Sequence, residues 1–279
     1  MPDTVVLDVF DAAGLRSLSE RFPHGSAHRY HLRDPAAVPS ETAALSKYVN
    51  RSAGDLQVTA IVERLGMALQ ILTPGVEAFC FTDLRLGAMA LTPPGATEPM
   101  VGRLGRGLIH GGEGGMTALT ADGTARTNLW VSRARLETAL AGLLEGPHQQ
   151  LRFNPAVNWA APGPSAVRRL LLHAEAEFAR KDGMAAHPIA LAAFTDLFVH
   201  TALRELPHNH REQLQRPTGV AIPAHLRRAE AFMLAEAQAP IGLPEIASAA
   251  GCSVRTLQNA FRLFRDTTPH HALQAIRLE

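Results

Sequence analysis

The chain has 279 residues, 46% of them hydrophobic, and a formal net charge of +1 at pH 7. That apolar share supports a packed core and excludes global disorder. So balanced a charge excludes a chain-wide affinity for nucleic acid, and any such site must be a local patch.

The two cysteines, Cys80 and Cys252, lie far apart and outside any CxxC pair. This excludes a disulfide scaffold and a thiolate zinc cage and suits a reducing compartment. The N-terminal "MPDTVVLDVFDAAG" carries acids where a signal peptide has a basic start. No run of about twenty apolar residues is available to span a membrane. A cytoplasmic protein without a membrane partner is expected. All the basic residues except Lys47 and Lys181 are arginine, a bias that carries no functional weight. The length allows two domains or one large one.

Residues 10–22, "FDAAGLRSLSERF", read as a short helix with Asp11 at its N-cap. From about 55 to 131 short apolar runs alternate with "LG", "TPG", "TD" and "PPG" punctuation, the pattern of an antiparallel sheet folded into a barrel or sandwich. Within it, "MTALTADGTARTNLWV" reads as a hairpin turning at Asp122-Gly123. The glycine-rich "GRLGRGLIHGGEGG" lacks the GK[ST] of a phosphate loop and reads as turns.

Helices follow over about 132–206. Ser132 is a cap for a helix striped by Leu136, Leu140, Leu143 and Leu144 and ended by Gly146. Ser165 is a cap for a second helix running to Gly183. A third runs from Pro188 to about Leu206, with Ile189, Ala193, Phe194, Leu197, Phe198 and Leu203. The apolar faces of the last two fit either a dimer seam or burial against the barrel. Residues 207–222 carry two prolines around a polar run and read as a linker.

A last helical block begins at Pro223. Leu226, Ala229, Phe232, Met233 and Ala237 face inward in its first helix. "LPEIASAA" follows, with Pro244 in the first turn, where its missing N–H costs nothing. Gly251 supplies a sharp turn and Ser253 caps the next helix. At about 3.6 residues per turn, Leu257, Ala260, Phe261 and Phe264 fall on one side of that helix. Arg255, Gln258, Asn259 and Arg262 fall on the other. Arginine bonds bidentately to guanine, and asparagine or glutamine to adenine. From Ser253 to Arg265 there are three arginines and no acid. Such a stripe also fits a solvated helix face; the short helix, glycine turn and capped second helix match helix-turn-helix geometry.

The stretch "PEIASAAGCSVRTLQNAFRLFRDTTPHHALQAIRL" resembles the AraC/XylS family of bacterial transcription regulators. The matching residues are Ala247, Gly251, Ser253, Arg255, Leu257, Phe261, Thr268-Pro269 and Arg277-Leu278. More loosely, "RGLIHGGEGG…TNLWVSRARLETAL" resembles the end of that family's cupin-like barrel and its first helix. The resemblance implies an α+β chain: a ligand-binding and dimerisation domain over 1–206, the linker, and an all-α partial DNA-binding domain over 223–279.

The family departs from this chain at Asp266, where glycine is usual, and at Ala272, where an aromatic is usual. It also carries a second helix-turn-helix. Here the chain stops inside the joining helix that starts at Thr268-Pro269, so a truncated form is expected, with weak, salt-dependent binding unless dimerisation compensates.

The implied function is a DNA-binding regulator of transcription, activator or repressor, controlled by a small effector in the barrel. Arg255, Gln258, Asn259 and Arg262 face bases, Arg265 faces phosphate and Ser253 caps. Ile246, Ala247, Gly251, Leu257 and Phe261 form the helix-turn-helix core. Implied partners are double-stranded promoter DNA, an effector to which no barrel residue is assigned, a second copy of the chain and RNA polymerase. A short form acting by dimerisation alone and a cupin-type barrel enzyme are the alternatives.

No metal or cofactor is expected. His24, His28 and His31 are spaced along one expected face, and His208 and His210 form "HNH". The barrel-like stretch offers only His110 beside Glu113, without the HxH of metal-holding cupins. Trp130 and Trp159 fit core packing better than a pocket lining.

Overall fold

The computed structural model describes residues 3–11, 14–15, 18, 28–34, 44–71, 77–111, 114–144, 148–215 and 224–278. The chain divides into two compact units, residues 1–215 and 216–279.

The first unit is built on one 12-stranded sheet. Its strands are β1 (Asp3–Val9), β2 (His28–Leu32), β3 (Ser46–Ala53), β4 (Leu56–Glu63), β5 (Met67–Ile71) and β6 (Ala78–Leu86). They continue as β7 (Ala88–Thr92), β8 (Met100–Arg103), β9 (Arg106–His110), β10 (Thr117–Thr120), β11 (Thr124–Ser132) and β12 (Ala156–Asn158). The order is β1-β3-β4-β11-β6-β9-β8-β7-β10-β5-β2, with β12 added on β9, and every pairing is antiparallel.

The sheet curls on itself as a half-barrel. Its two ends meet through side chains: Tyr30 of β2 packs edge-on against Tyr48 of β3, ring centroids 6.4 Å apart. Val9, Leu32, Ile61 and Met67 share that cluster.

Register fixes what each face does, because successive strand residues point to opposite sides. Leu129 lies opposite Val58 and Phe81, and Val131 opposite Leu56 and Phe79. These six pack on the helices. Arg126, Asn128 and Trp130 alternate with them and share the other face with Ile61, Thr59 and Gln57 of β4 and Leu84, Thr82 and Cys80 of β6.

The sheet therefore begins at Asp3 and not near residue 55, a correction of about fifty residues. Strands β1 and β3, which carry Asp3, Asp8, Lys47 and Arg51, pair with each other but lack the longer apolar runs that mark strands by composition. The expected hairpin at Asp122-Gly123 is also corrected. The turn is there, with Gly123 at φ 70°, but β10 pairs with β5 and β7 while β11 pairs with β4 and β6. Asp122 Oδ1 instead accepts from Gly66 N at 2.6 Å, tying this turn to the β4–β5 connection. The glycine-rich stretch read as turns contains strand β9, turning at Gly105 with φ 77°. Gly107 within it is pressed against Trp159, where a Cβ would stand 2.0 Å from the indole nitrogen.

Three helices cover the sheet: α1 (Arg133–Leu143), α2 (Pro162–Ala179) and α3 (Pro188–Glu205). A 3-10 turn at Met184–Ala186 sits between the last two. Ser132 caps α1, accepting from Arg135 N at 3.4 Å. Leu136, Leu140 and Leu144 are buried, whereas Leu143 is exposed. Helix α2 starts at Pro162, three residues before the expected cap, because Pro162 and Pro164 both fit a first turn that needs no N–H; Ser165 donates to Pro162 O at 2.7 Å. In α3, Phe194, Phe198 and Leu203 enter the core, but Ile189 is 88% and Leu197 53% exposed.

The linker reading of 207–222 fails for its first part. His208 bridges to Phe153, His210 is buried and α4 (Arg211–Gln215) follows. For the expected 10–22 helix, Gly14 N donates to Asp11 Oδ1 at 2.8 Å and Leu15 and Leu18 are buried. The rest of that segment, like His24, Glu113, Gly146 and 216–223, lies outside the described residues. Among the described residues no helix is long and apolar enough to cross a membrane.

The second unit contains α5 (Ala224–Ala235), α6 (Leu243–Ala250), α7 (Val254–Arg265) and α8 (Pro269–Leu278). Leu226, Ala229 and Met233 of α5 meet Ile246, Ala247 and Ala250 of α6, Leu257, Ala260 and Phe261 of α7 and Leu273 of α8 in one core.

Candidate functional site

Helix α7 is held by its buried edge and by its ends. Gly251 takes the left-handed conformation at φ 67°, which lets α6 stop and the chain reverse. Arg228 of α5 donates from Nε and Nη2 to Ala250 O at 3.0 and 2.7 Å, satisfying a carbonyl that the end of α6 leaves open. At the start of α6, Glu245 accepts from Gly242 N at 3.0 Å. Ser253 accepts from Thr256 N at 3.1 Å and so caps α7. At its far end Asp266 is left-handed at φ 52°. Thr268 Oγ1 then accepts from His271 N at 3.3 Å, opening α8 with Pro269 in its first turn.

With Leu257, Ala260 and Phe261 buried, the opposite side is turned out. Arg255, Gln258, Asn259 and Arg262 are all exposed, and none of the four makes a side-chain hydrogen bond or ion pair among the described residues. The structure brings them onto one cationic ridge with open donors and acceptors. Ser253 stands exposed at its N-terminal end.

Arg265 donates from Nε and Nη2 to both carboxylate oxygens of Glu230 on α5, at 2.6 and 3.0 Å. Its side chain is exposed and its charge also has an ion-pair partner within the second unit. Ile246, Ala247, Leu257 and Phe261 are buried as core and Gly251 forms the turn.

Sequence reasoning missed two positioning arginines. One is Arg228. The other is Arg277, which donates to Ala237 O at 2.8 Å and Ala239 O at 2.6 Å. Their signal was an arginine near a helix end that lacks a partner close in sequence.

The inner face of the curled sheet carries a set of buried polar groups among its apolar ones. Arg126 Nη1 and Nη2 bond Glu63 Oε2 and Oε1 at 2.7 and 2.8 Å, and Tyr48 donates to Glu63 Oε1 at 3.2 Å. Burial alone would lower the Arg126 pKa, but the charge and hydrogen bonds of Glu63 outweigh it and hold the guanidinium above its ordinary range. Asn50 Oδ1 accepts from Gln57 Nε2 and Thr59 Oγ1 at 2.5 and 2.9 Å. Thr82 donates to Asn128 Oδ1 at 3.0 Å. Burial pushes the Tyr30 phenol and the Cys80 thiol each up to about 12, so both stay neutral.

Trp159 is buried and donates to Thr82 O at 3.3 Å. Trp130 packs edge-on against His110, with centroids 5.4 Å apart. His208 and His210 spend a ring nitrogen each on the carbonyls of Leu203 and Gln149, both at 2.7 Å. His31 lies on strand β2, not on a helix. Among the described residues no group of three or more His, Cys, Asp or Glu converges as a cation site.

No family model matches the chain. A protein from Rhodococcus erythropolis described as "Probable thc operon regulatory protein" is 32% identical over 98 residues, 35% of this chain. The chain thus matches 29% of that relative's length. Among solved structures, the AraC-like transcriptional activator CuxR aligns with 99% of this chain and 95% of its own, at 14% identity and a TM-score of 0.48. ToxT from Vibrio cholerae O395 aligns over 80% of each chain at 9% identity and a TM-score of 0.34. The chain resembles AraC-family regulators. Both TM-scores lie below 0.5, so the AraC-like motif and the geometry of α7 carry the functional reading.

Proposed function

We propose that this chain is a sequence-specific DNA-binding regulator of transcription, with a helix-turn-helix in its second unit and a small-molecule effector site in its first. The observation that carries this reading is the ridge on α7. Four side chains able to read base edges stand together in solvent, uncommitted among the described residues, on a helix whose other side is buried. Docked in a major groove, Arg255 and Arg262 would reach guanines, and Gln258 and Asn259 adenines. The glycine turn, the Ser253 cap and the paired hydrogen bonds of Arg228 set the angle at which α7 leaves α6.

The first unit supplies the control. A curled sheet with both polar and apolar groups on its inner face suits a small ligand, whose binding favours one arrangement of the chain over another. The exposed Ile189 and Leu197 on α3 suit contact with a second copy, which would place two ridges on successive half-sites.

Fluorescence anisotropy on duplexes carrying the upstream regions of the gene's own locus tests this reading. Arg255→Ala with Arg262→Ala is expected to weaken binding by about 1–3 kcal/mol for each guanine no longer bonded, roughly five- to 150-fold apiece. Unchanged affinity and sequence preference would overturn it.

A further inference from the structure

The first unit holds a cavity of about 470 Å³ at one rim of the curled sheet. Phe79, Leu91, Ile109, Met116 and Phe153 line it with Pro93, Pro94 and Pro155, beside the polar His110 and Gln150. Two guanidinium groups, those of Arg133 and Arg152, line it as well.

Several arginines of the unit are held by carboxylates. Arg126 is paired with Glu63, Arg168 with Asp83, Arg85 with Glu175 and Arg135 with Asp196. Neither Arg133 nor Arg152 has a carboxylate partner among the described residues. Arg133 is half-buried, its guanidinium carbon 4.2 Å from the centroid of the Phe79 ring. It is also the first residue of α1, whose opening turn contains no acid, so the helix dipole adds to the positive potential there.

A half-open, largely apolar pocket beside two arginines that have no carboxylate partner among the described residues suits a ligand with a hydrocarbon or aromatic body and one anionic head. We propose that this cavity binds a small organic anion, a carboxylate with an apolar body, held by Arg133 and Arg152. This deepens the reading of the first unit as the effector-binding part and rests on it.

The cavity wall also offers a route by which occupancy is felt. Residues 150–155 are clasped to 207–210. Asn154 N donates to Pro207 O at 2.8 Å and Asn209 N to Arg152 O at 3.1 Å. Arg152 N donates to Asn209 Oδ1 at 2.8 Å, and Asn209 Nδ2 to Gln150 O at 2.9 Å. Residues 207–210 lead directly into α4, where the first unit ends. A ligand that orders Arg152 and Phe153 therefore stiffens the last segment of the first unit.

Calorimetric titration of the full chain tests the proposal, with octanoate and 4-phenylbutyrate set against their neutral amides. Both carboxylates are expected to bind saturably, and the amides about tenfold or more weakly, since they forgo the charge-assisted bonds. Arg133→Met with Arg152→Met should abolish that preference while amide binding persists, which shows the cavity intact. The paired lysine variant should restore it. Hydrogen exchange should slow at 150–155 and 207–210 on adding octanoate.

Absence of saturable carboxylate binding at millimolar concentration, equal binding of acid and amide, or a methionine variant that keeps the preference would each overturn the proposal. Slowing of exchange confined to other segments would do the same. None of these readouts uses DNA, so failure here leaves the reading of α7 standing, and failure of the anisotropy test leaves this one standing.

Discussion

Replacing Glu63 with glutamine removes one charge from inside the curled sheet and little else. Volume is kept, and the amide oxygen still accepts from Tyr48. The change removes one of two charge-assisted bonds, at 2.7 and 2.8 Å, and the counter-charge of a guanidinium whose side chain is only 6% exposed. Arginine does not escape by losing its proton, so Glu63→Gln is expected to destabilise the first unit by about 3–5 kcal/mol.

Arg126→Met strands the other member of the pair, the buried Glu63 carboxylate, and is likewise expected to cost about 3–5 kcal/mol. The double variant, with no buried charge left, is expected to recover most of the loss.

Both tryptophans, Trp130 and Trp159, lie in the first unit, so urea titrations followed by tryptophan emission report on that unit alone. A Glu63→Gln change within about 0.5 kcal/mol of wild type, the scale of surface exchanges, would refute the buried-pair reasoning.

In the second unit, Gly251→Ala forces a Cβ into the left-handed turn and towards Arg228 Nη2, 3.3 Å away. It should cost about 1–2 kcal/mol, whereas Asp266→Gly should gain a few tenths to about 1 kcal/mol. Far-UV circular dichroism and hydrogen exchange over 224–278 check both signs. Gly107→Ala places a methyl 2.0 Å from Trp159 Nε1 and 2.5 Å from Thr82 O. A loss of about 1–3 kcal/mol with a shifted tryptophan emission is expected. Burial holds the Cys80 thiol protonated, so at pH 8 the native chain should release thionitrobenzoate from Ellman's reagent through Cys252 alone. Both thiols should react in guanidinium.

The helical parts were legible because their signals are local. Ser132, Gly251, Ser253 and Thr268-Pro269 each act within four residues of their own position, and the expected polar and apolar sides of α7 are the exposed and buried sides observed. The sheet was not legible in this way. β1 and β3 pair through backbone bonds that tolerate Asp8, Lys47 and Arg51. The partners of β10 and β11 are chosen by the curl of the whole sheet rather than by the turn between them.

The same holds for the cavity. Arg133 and Arg152 line one cavity, and the segment carrying Arg152 is clasped by residues more than fifty positions further on. Arg265 pairs with Glu230 of α5, 35 positions earlier, a partner that no local pattern announces.

The central claim is that the α7 ridge reads bases. The most direct test is selection from a random duplex pool, sequenced for wild type, Arg255→Ala and Asn259→Ala. Each variant is expected to lose preference at its own position, a guanine for Arg255 and an adenine for Asn259, and to keep the rest of the motif. Recovery of the wild-type motif by both variants, or the absence of any enriched motif with wild type, would contradict the account.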